Sequence, residues 1–134
     1  MAQLQFELVS PEKLLVSKPV VMVTVPGGEG DYGIMADHAP MITTVRPGVI
    51  AVYERDDSAV TDRIFIAGGF AEVTAERCTL LAEEAMPVAD LNREAIQADI
   101  KILTESLASA PESARLPLEN RLAIAEAKLQ ALAA

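Results

Sequence analysis

Apolar and polar residues alternate with a period of two at the start of the chain, where Leu4, Phe6 and Leu8 are separated by Gln5 and Glu7. That spacing gives a strand one face to bury and one to leave in solvent. Ser10-Pro11-Glu12 turns the chain, since proline fixes its own φ and biases the residue before it toward extended geometry. Leu14 to Val16 reads as a short second strand. Val20 to Val25 is nearly continuous in apolar residues and suits a strand buried on both faces. Further strands are predicted over Met41 to Val45, Val49 to Glu54, Val60 to Ala67, Phe70 to Thr74 and Cys78 to Ala82. Pro47-Gly48, a polar tip at Arg55-Asp56-Asp57-Ser58 and Gly68-Gly69 punctuate them. Short strands at this spacing, with no helical period between them, predict a β-sandwich or barrel. A parallel sheet is not expected, for want of crossover helices.

At Met86-Pro87 the period changes. Ile96, Ile100, Leu103 and Leu107 step by four, three and four, and Leu118, Leu122, Ala125, Leu129 and Leu132 repeat that stepping. Two apolar stripes joined by the polar break Ser109 to Ser113 predict an antiparallel helical hairpin. The first helix should run over about 91 to 108 with Asp90 as its N-cap. The second should begin near 115 or 116, which keeps Pro117 in its first turn. The predicted division is a β-domain over 1–86 and a two-helix hairpin over 87–134. The hairpin is rich in Ala with a thin seam, so it is expected to be an element of low local stability.

Composition narrows the function classes. Half of the residues are apolar, yet only two Tyr and three Phe are present, so Val, Ile, Leu and Ala must build the core. A net charge of -9 argues against nucleic acid, whose backbone is bound by clustered Lys and Arg. The single Cys78 excludes an internal disulfide and a multi-cysteine metal site, and reads as core filler. No apolar run approaches the ~20 residues that span a bilayer, and Met1 to Gln5 lacks a basic region followed by an apolar one. The expectation is a chain without direct membrane insertion and without an imported-protein leader.

The stretch Pro26 to Gly33 holds four of the seven glycines and leads to the only histidine, His38. Gly28-x-Gly30-x-x-Gly33 has the spacing of a dinucleotide-binding turn, which requires a helix directly after the glycines. Here Pro40 closes the way to one, and Glu29 and Asp31 would repel phosphates. No Gly-Lys-Ser/Thr follows either. A structural or partner-contact turn is the better reading, and no cofactor is expected. One histidine assembles neither a metal site nor a catalytic triad. Glu83-Glu84 and Asp56-Asp57 fall on opposite strand faces or on turn tips, so no acid/base pair is implied.

With these elements in place, five stretches resemble the epsilon subunit family of the F-type ATP synthase. They are Leu8 to Glu12; Val25 to Ile34 with His38-Ala39-Pro40; Arg46-Pro47-Gly48; Ile66 to Val73; and Thr79 to Ala85. The resemblance implies a ten-stranded β-sandwich followed by the helical hairpin. It implies a non-catalytic central-stalk subunit that binds gamma and stands on the c ring, coupling proton flow to ATP synthesis. It also implies a hairpin that reaches the alpha and beta subunits in regulating ATP hydrolysis. The expected location is peripheral, on the cytoplasmic face of a bacterial inner membrane.

By position in the family, Glu29, Asp31 and His38 would be the c-ring contacts. Some members bind ATP through Leu/Ile-Asp-x-x-Arg-Ala at the start of the first helix. Aligned without a gap, this chain reads Leu91-Asn92-Arg93-Glu94-Ala95-Ile96 there, losing both the Asp and the Arg. A shift of one residue recovers Asp90 and Arg93, with Ala89 and Glu94 in the flanking positions, so these two are the candidate nucleotide contacts. The alternative function kept beside the coupling subunit is a nucleotide-sensing regulatory protein whose hairpin closes over ATP.

Overall fold

The computed structural model describes residues 3–28, 30–55 and 59–133. Glu29, and Asp56 to Ser58 at the expected polar tip, lie outside the described residues. The chain divides into two compact units, Met1–Pro87 and Val88–Ala134.

Among the described residues the first unit holds ten strands, hydrogen-bonded into one curled sheet. They are β1 Leu4–Val9, β2 Leu14–Val20, β3 Met22–Gly27, β4 Gly30–Met35, β5 Met41–Val45, β6 Gly48–Tyr53, β7 Asp62–Ile66, β8 Gly69–Val73, β9 Arg77–Ala82 and β10 Ala85–Pro87. The strand order is β10-β7-β6-β3-β5-β8-β9-β1-β2, with β4 paired to β3. Strand β3 is the branch point: its first residues pair with β6, Gly27 pairs with Val45 of β5, and β4 runs along its whole length.

The alternation read from the sequence sets the inner face. Leu4, Phe6 and Leu8 of β1 are fully buried with Val23, Val25, Ile34, Ile50, Val52 and Leu80, forming one core. Each such side chain contributes about 1.5–3 kcal/mol by leaving water. Lys18 of β2 pairs with Asp62 of β7 and lies 3.3 Å from Glu54, just past β6. This cluster ties the last strand of the order to strands near its other end.

Several expectations are corrected. Strand β2 runs on to Val20 through Ser17-Lys18-Pro19, since it is an edge strand that pairs with β1 alone and tolerates a proline. Strand β3 buries Val23 and Val25 while Met22 and Thr24 are only partly buried, so burial on both faces is reached only at its end, over Val25 to Gly27. The stretch after the glycines is not loop but β4, drawn into the sheet by β3. One parallel pair exists after all: β1 lies alongside β9, with most of the unit as the connection in place of a crossover helix.

In the second unit, a 3-10 turn over Val88–Asp90 precedes α1 Arg93–Ser109 and α2 Glu112–Ala133, which pack against each other. Ile96 and Leu103 of α1 and Ala125 of α2 are buried. The N-cap of α1 is Asn92 rather than Asp90, its side chain accepting the Ala95 amide at 3.0 Å. Helix α2 starts earlier than its proline suggests, so Pro117 sits inside the helix, where it gives up one backbone donor.

Candidate functional site

The glycine-rich stretch folds as the tip of the β3–β4 hairpin, with Pro26 opposite Asp31 and Gly27 opposite Gly30. Gly27 is required by a close approach: a Cβ there would run into the ring of Tyr32, which lies across it. The corner between β5 and β6 holds this tip. The Gly28 amide donates to the Thr44 carbonyl at 3.0 Å, and the Arg46 amide donates to the Pro26 carbonyl at 2.9 Å.

The Arg46 side chain adds two further bonds. Its Nη1 donates to the Gly27 carbonyl at 2.6 Å, and its Nη2 donates to Asp31 Oδ1 at 2.6 Å. Asp31 remains 71% exposed. Its charge is therefore presented from a hairpin held in a fixed shape and is partly neutralised by its own chain. The sequence reading missed Arg46. It is the only Lys or Arg between Lys18 and Arg55, and that isolation was the available signal.

His38 does not join Asp31. It lies past the opposite end of β4, and that strand alone sets about 13 Å between Asp31 and Met35 at its usual rise per residue. The His38 amide donates to the Met35 carbonyl at 3.3 Å, and the Asp37 amide to the Ala75 carbonyl at 2.7 Å, with Asp37 at φ 66°. His38 Nδ1 is 2.7 Å from the Ala39 carbonyl oxygen, a contact that places the ring proton on Nδ1. The predicted contacts thus fall at the two ends of one strand, with Glu29 outside the described residues.

Asp90 closes the 3-10 turn and Arg93 opens α1; both are exposed and no ion pair joins them. The backbone donor that a cap would satisfy is already taken by Asn92. Among the described residues, no group of three His, Cys, Asp or Glu is placed to hold a metal ion. Cys78 is fully buried, and burial pushes its thiol up to about 12.

A second surface was not anticipated. On the outer face of the sheet, Thr44, Phe70, Leu81, Val9 and Leu14 stand opposite one another on the neighbouring strands β5, β8, β9, β1 and β2. Phe70, Leu81 and Leu14 are 55%, 51% and 53% exposed, and Ile42, two residues along β5, is 74% exposed. Val9, Ser10, Pro11, Phe70, Leu81 and Glu83 line a groove of about 440 Å³ along this row. Alternation conceals such a row, because it assigns every outward position to solvent without asking whether its residue is apolar.

The comparisons with known proteins agree with one another. Residues 3–88 match the model of the ATP synthase delta/epsilon chain β-sandwich domain. The chain is 52% identical over 135 residues to the ATP synthase epsilon chain of Rhodospirillum centenum, covering 98% of this chain and 92% of that one. It is 53% identical over 132 residues to that of Paramagnetospirillum magneticum, covering 98% of each. In structure it resembles a chain of the Euglena gracilis mitochondrial ATP synthase OSCP/F1/c-ring assembly, with a TM-score of 0.87 and 26% identity over 98% of this chain and 82% of that one. The chain therefore belongs to the delta/epsilon chain family of ATP synthase, and its relatives of similar length are epsilon chains.

Proposed function

We propose that this chain is a non-catalytic subunit of the central stalk of a proton-translocating F-type ATP synthase, coupling rotation of the c ring to ATP synthesis. The observation that carries the reading is the pair of surfaces on one β-unit. The row of Phe70, Leu81, Val9 and Leu14 is a contiguous apolar surface of the kind that marks a protein interface, and it is the proposed seat for the gamma subunit. The β3–β4 tip with Asp31, together with Glu29 by its position in the sequence, is the proposed contact with the polar loops of the c ring. His38, at the other end of β4, belongs to the same proposed contact region.

The proposed location is peripheral, on the cytoplasmic face of a bacterial inner membrane, reached through partners. Among the described residues no helix is long and apolar enough to cross a membrane. The hairpin is proposed to reach the alpha and beta subunits with modest inhibition of hydrolysis at most. In the nucleotide-sensing alternative, Asp90 and Arg93 would meet ATP, and nothing in their geometry favours that role over exposed surface. A calorimetric titration with ATP separates the readings, since tight binding by the isolated chain would favour the sensor. The coupling reading is tested by retention of gamma in a pull-down, and by Asp31→Lys, which should weaken seating on the ring while the chain stays folded. Failure to retain gamma would contradict it.

A further inference from the structure

We infer that Arg46 is a positioning residue for ring docking, one that fixes Asp31 so that a single carboxylate oxygen faces the partner. The inference rests on the reading of the β3–β4 tip as the c-ring contact. One guanidinium spans two strands: Nη1 is bonded to the last carbonyl of β3, at Gly27, and Nη2 to Oδ1 of Asp31 near the start of β4, each at 2.6 Å. The backbone amide of the same residue is bonded to the Pro26 carbonyl at 2.9 Å. Arg46 therefore clamps both strands of the hairpin end, at Pro26 and Gly27 on β3 and at Asp31 on β4, from a neighbouring corner.

Two consequences follow for recognition. The planar fork of a guanidinium fixes both acceptors at once, which an ammonium on a flexible stem does not. Asp31 thus meets a partner with its rotamer already set, and less ordering is left for the moment of binding. Oδ1 already accepts from Arg46, so Oδ2 is the less engaged oxygen and the one favoured to accept from outside. Because the carboxylate is already paired, the pair carries little net charge. The partner group it fits is a short-range hydrogen-bond donor on a polar loop, read by geometry more than by distant attraction.

The test uses the assembled ATP synthase in membrane vesicles carrying Arg46→Gln, Arg46→Lys, Asp31→Asn or the double variant Arg46→Gln with Asp31→Asn. Protons pumped per ATP hydrolysed are measured, and thermal unfolding of each purified chain serves as the folding control. The expected result is a several-fold fall in pumping for Asp31→Asn and Arg46→Gln, with the double variant no worse than Asp31→Asn alone. Arg46→Lys should fold like the parent and yet fall short of it, because one ammonium does not reproduce the fork. If Asp31→Asn lowers pumping and neither Arg46 variant does, the role of Arg46 is overturned while the ring contact stands. If Arg46→Gln lowers pumping as much in the Asp31→Asn background as in the parent, Arg46 acts on something other than Asp31 and the inference is overturned. Unchanged pumping in Asp31→Asn overturns the ring contact and this inference together.

Discussion

Phe70 of β8 and Leu81 of β9 stand directly opposite each other, and each keeps more than half of its surface exposed, at 55% and 51%. Cross-strand neighbours normally share burial as well as contact, and this pair shares only contact. Replacing either by Ser removes a cross-strand pair and a side chain that is only half buried, so stability should fall by only about 1 kcal/mol. Retention of gamma should be lost. Thermal unfolding and a pull-down on the same variants check both halves.

Gly69, the residue before Phe70, has no room for a side chain: a Cβ there would run into the Leu81 carbonyl oxygen. Gly69→Ala must push β8 away from β9 and is expected to cost more than about 2 kcal/mol. For a unit of this size, a fall of roughly 8 °C or more in the unfolding temperature should follow. An unchanged transition would show that β8 and β9 part easily at Gly69.

Cys78 is buried with its thiol pushed up to about 12, so it should not react with a thiol reagent at pH 8 until the chain unfolds. The sign of the pH effect follows from the raised value. In the unfolded chain the thiol loses its proton near its ordinary value of about 8.5, while the folded chain keeps it. Stability is therefore complete below that point and falls as pH rises toward 12. Urea unfolding at pH 8 and pH 10 should show a steeper loss for the parent than for Cys78→Ala.

The cations of α2, Arg115, Arg121 and Lys128, alternate with Glu119 and Glu126, and Arg115 lies 3.9 Å from Glu119. A helix neutralised along its own length is poorly suited to bind an acidic cleft strongly. Deleting residues 88–134 should leave ATP hydrolysis by the complex nearly unchanged. A large rise would show that the hairpin is a strong inhibitor.

Strands whose patterns alternate cleanly, such as Leu4 to Leu8, were legible in the sequence because burial follows period two. Strand β4 was not, since Gly30, Asp31 and Gly33 have the composition of a loop and become a strand only when β3 supplies the hydrogen-bonding partner. The length of β2 was hidden by Pro19 for a related reason, its edge position being a property of the whole sheet. Asp31 was singled out only through the family resemblance of its loop, as a proposed contact. Arg46 was missed because the contact joins residues fifteen positions apart. The cluster of Lys18, Glu54 and Asp62 was equally out of reach. Each of these depends on which strands become neighbours, and local pattern does not encode that.

ATP-driven proton pumping by vesicles carrying Leu81→Asp most directly tests the claim that this chain couples rotation through its outer apolar row. A carboxylate in that row would have to be desolvated for the interface to close. The expected result is that pumping collapses while ATP hydrolysis continues and the purified variant unfolds at the parent's temperature. Pumping at the parent's level by a folded Leu81→Asp chain would contradict the account.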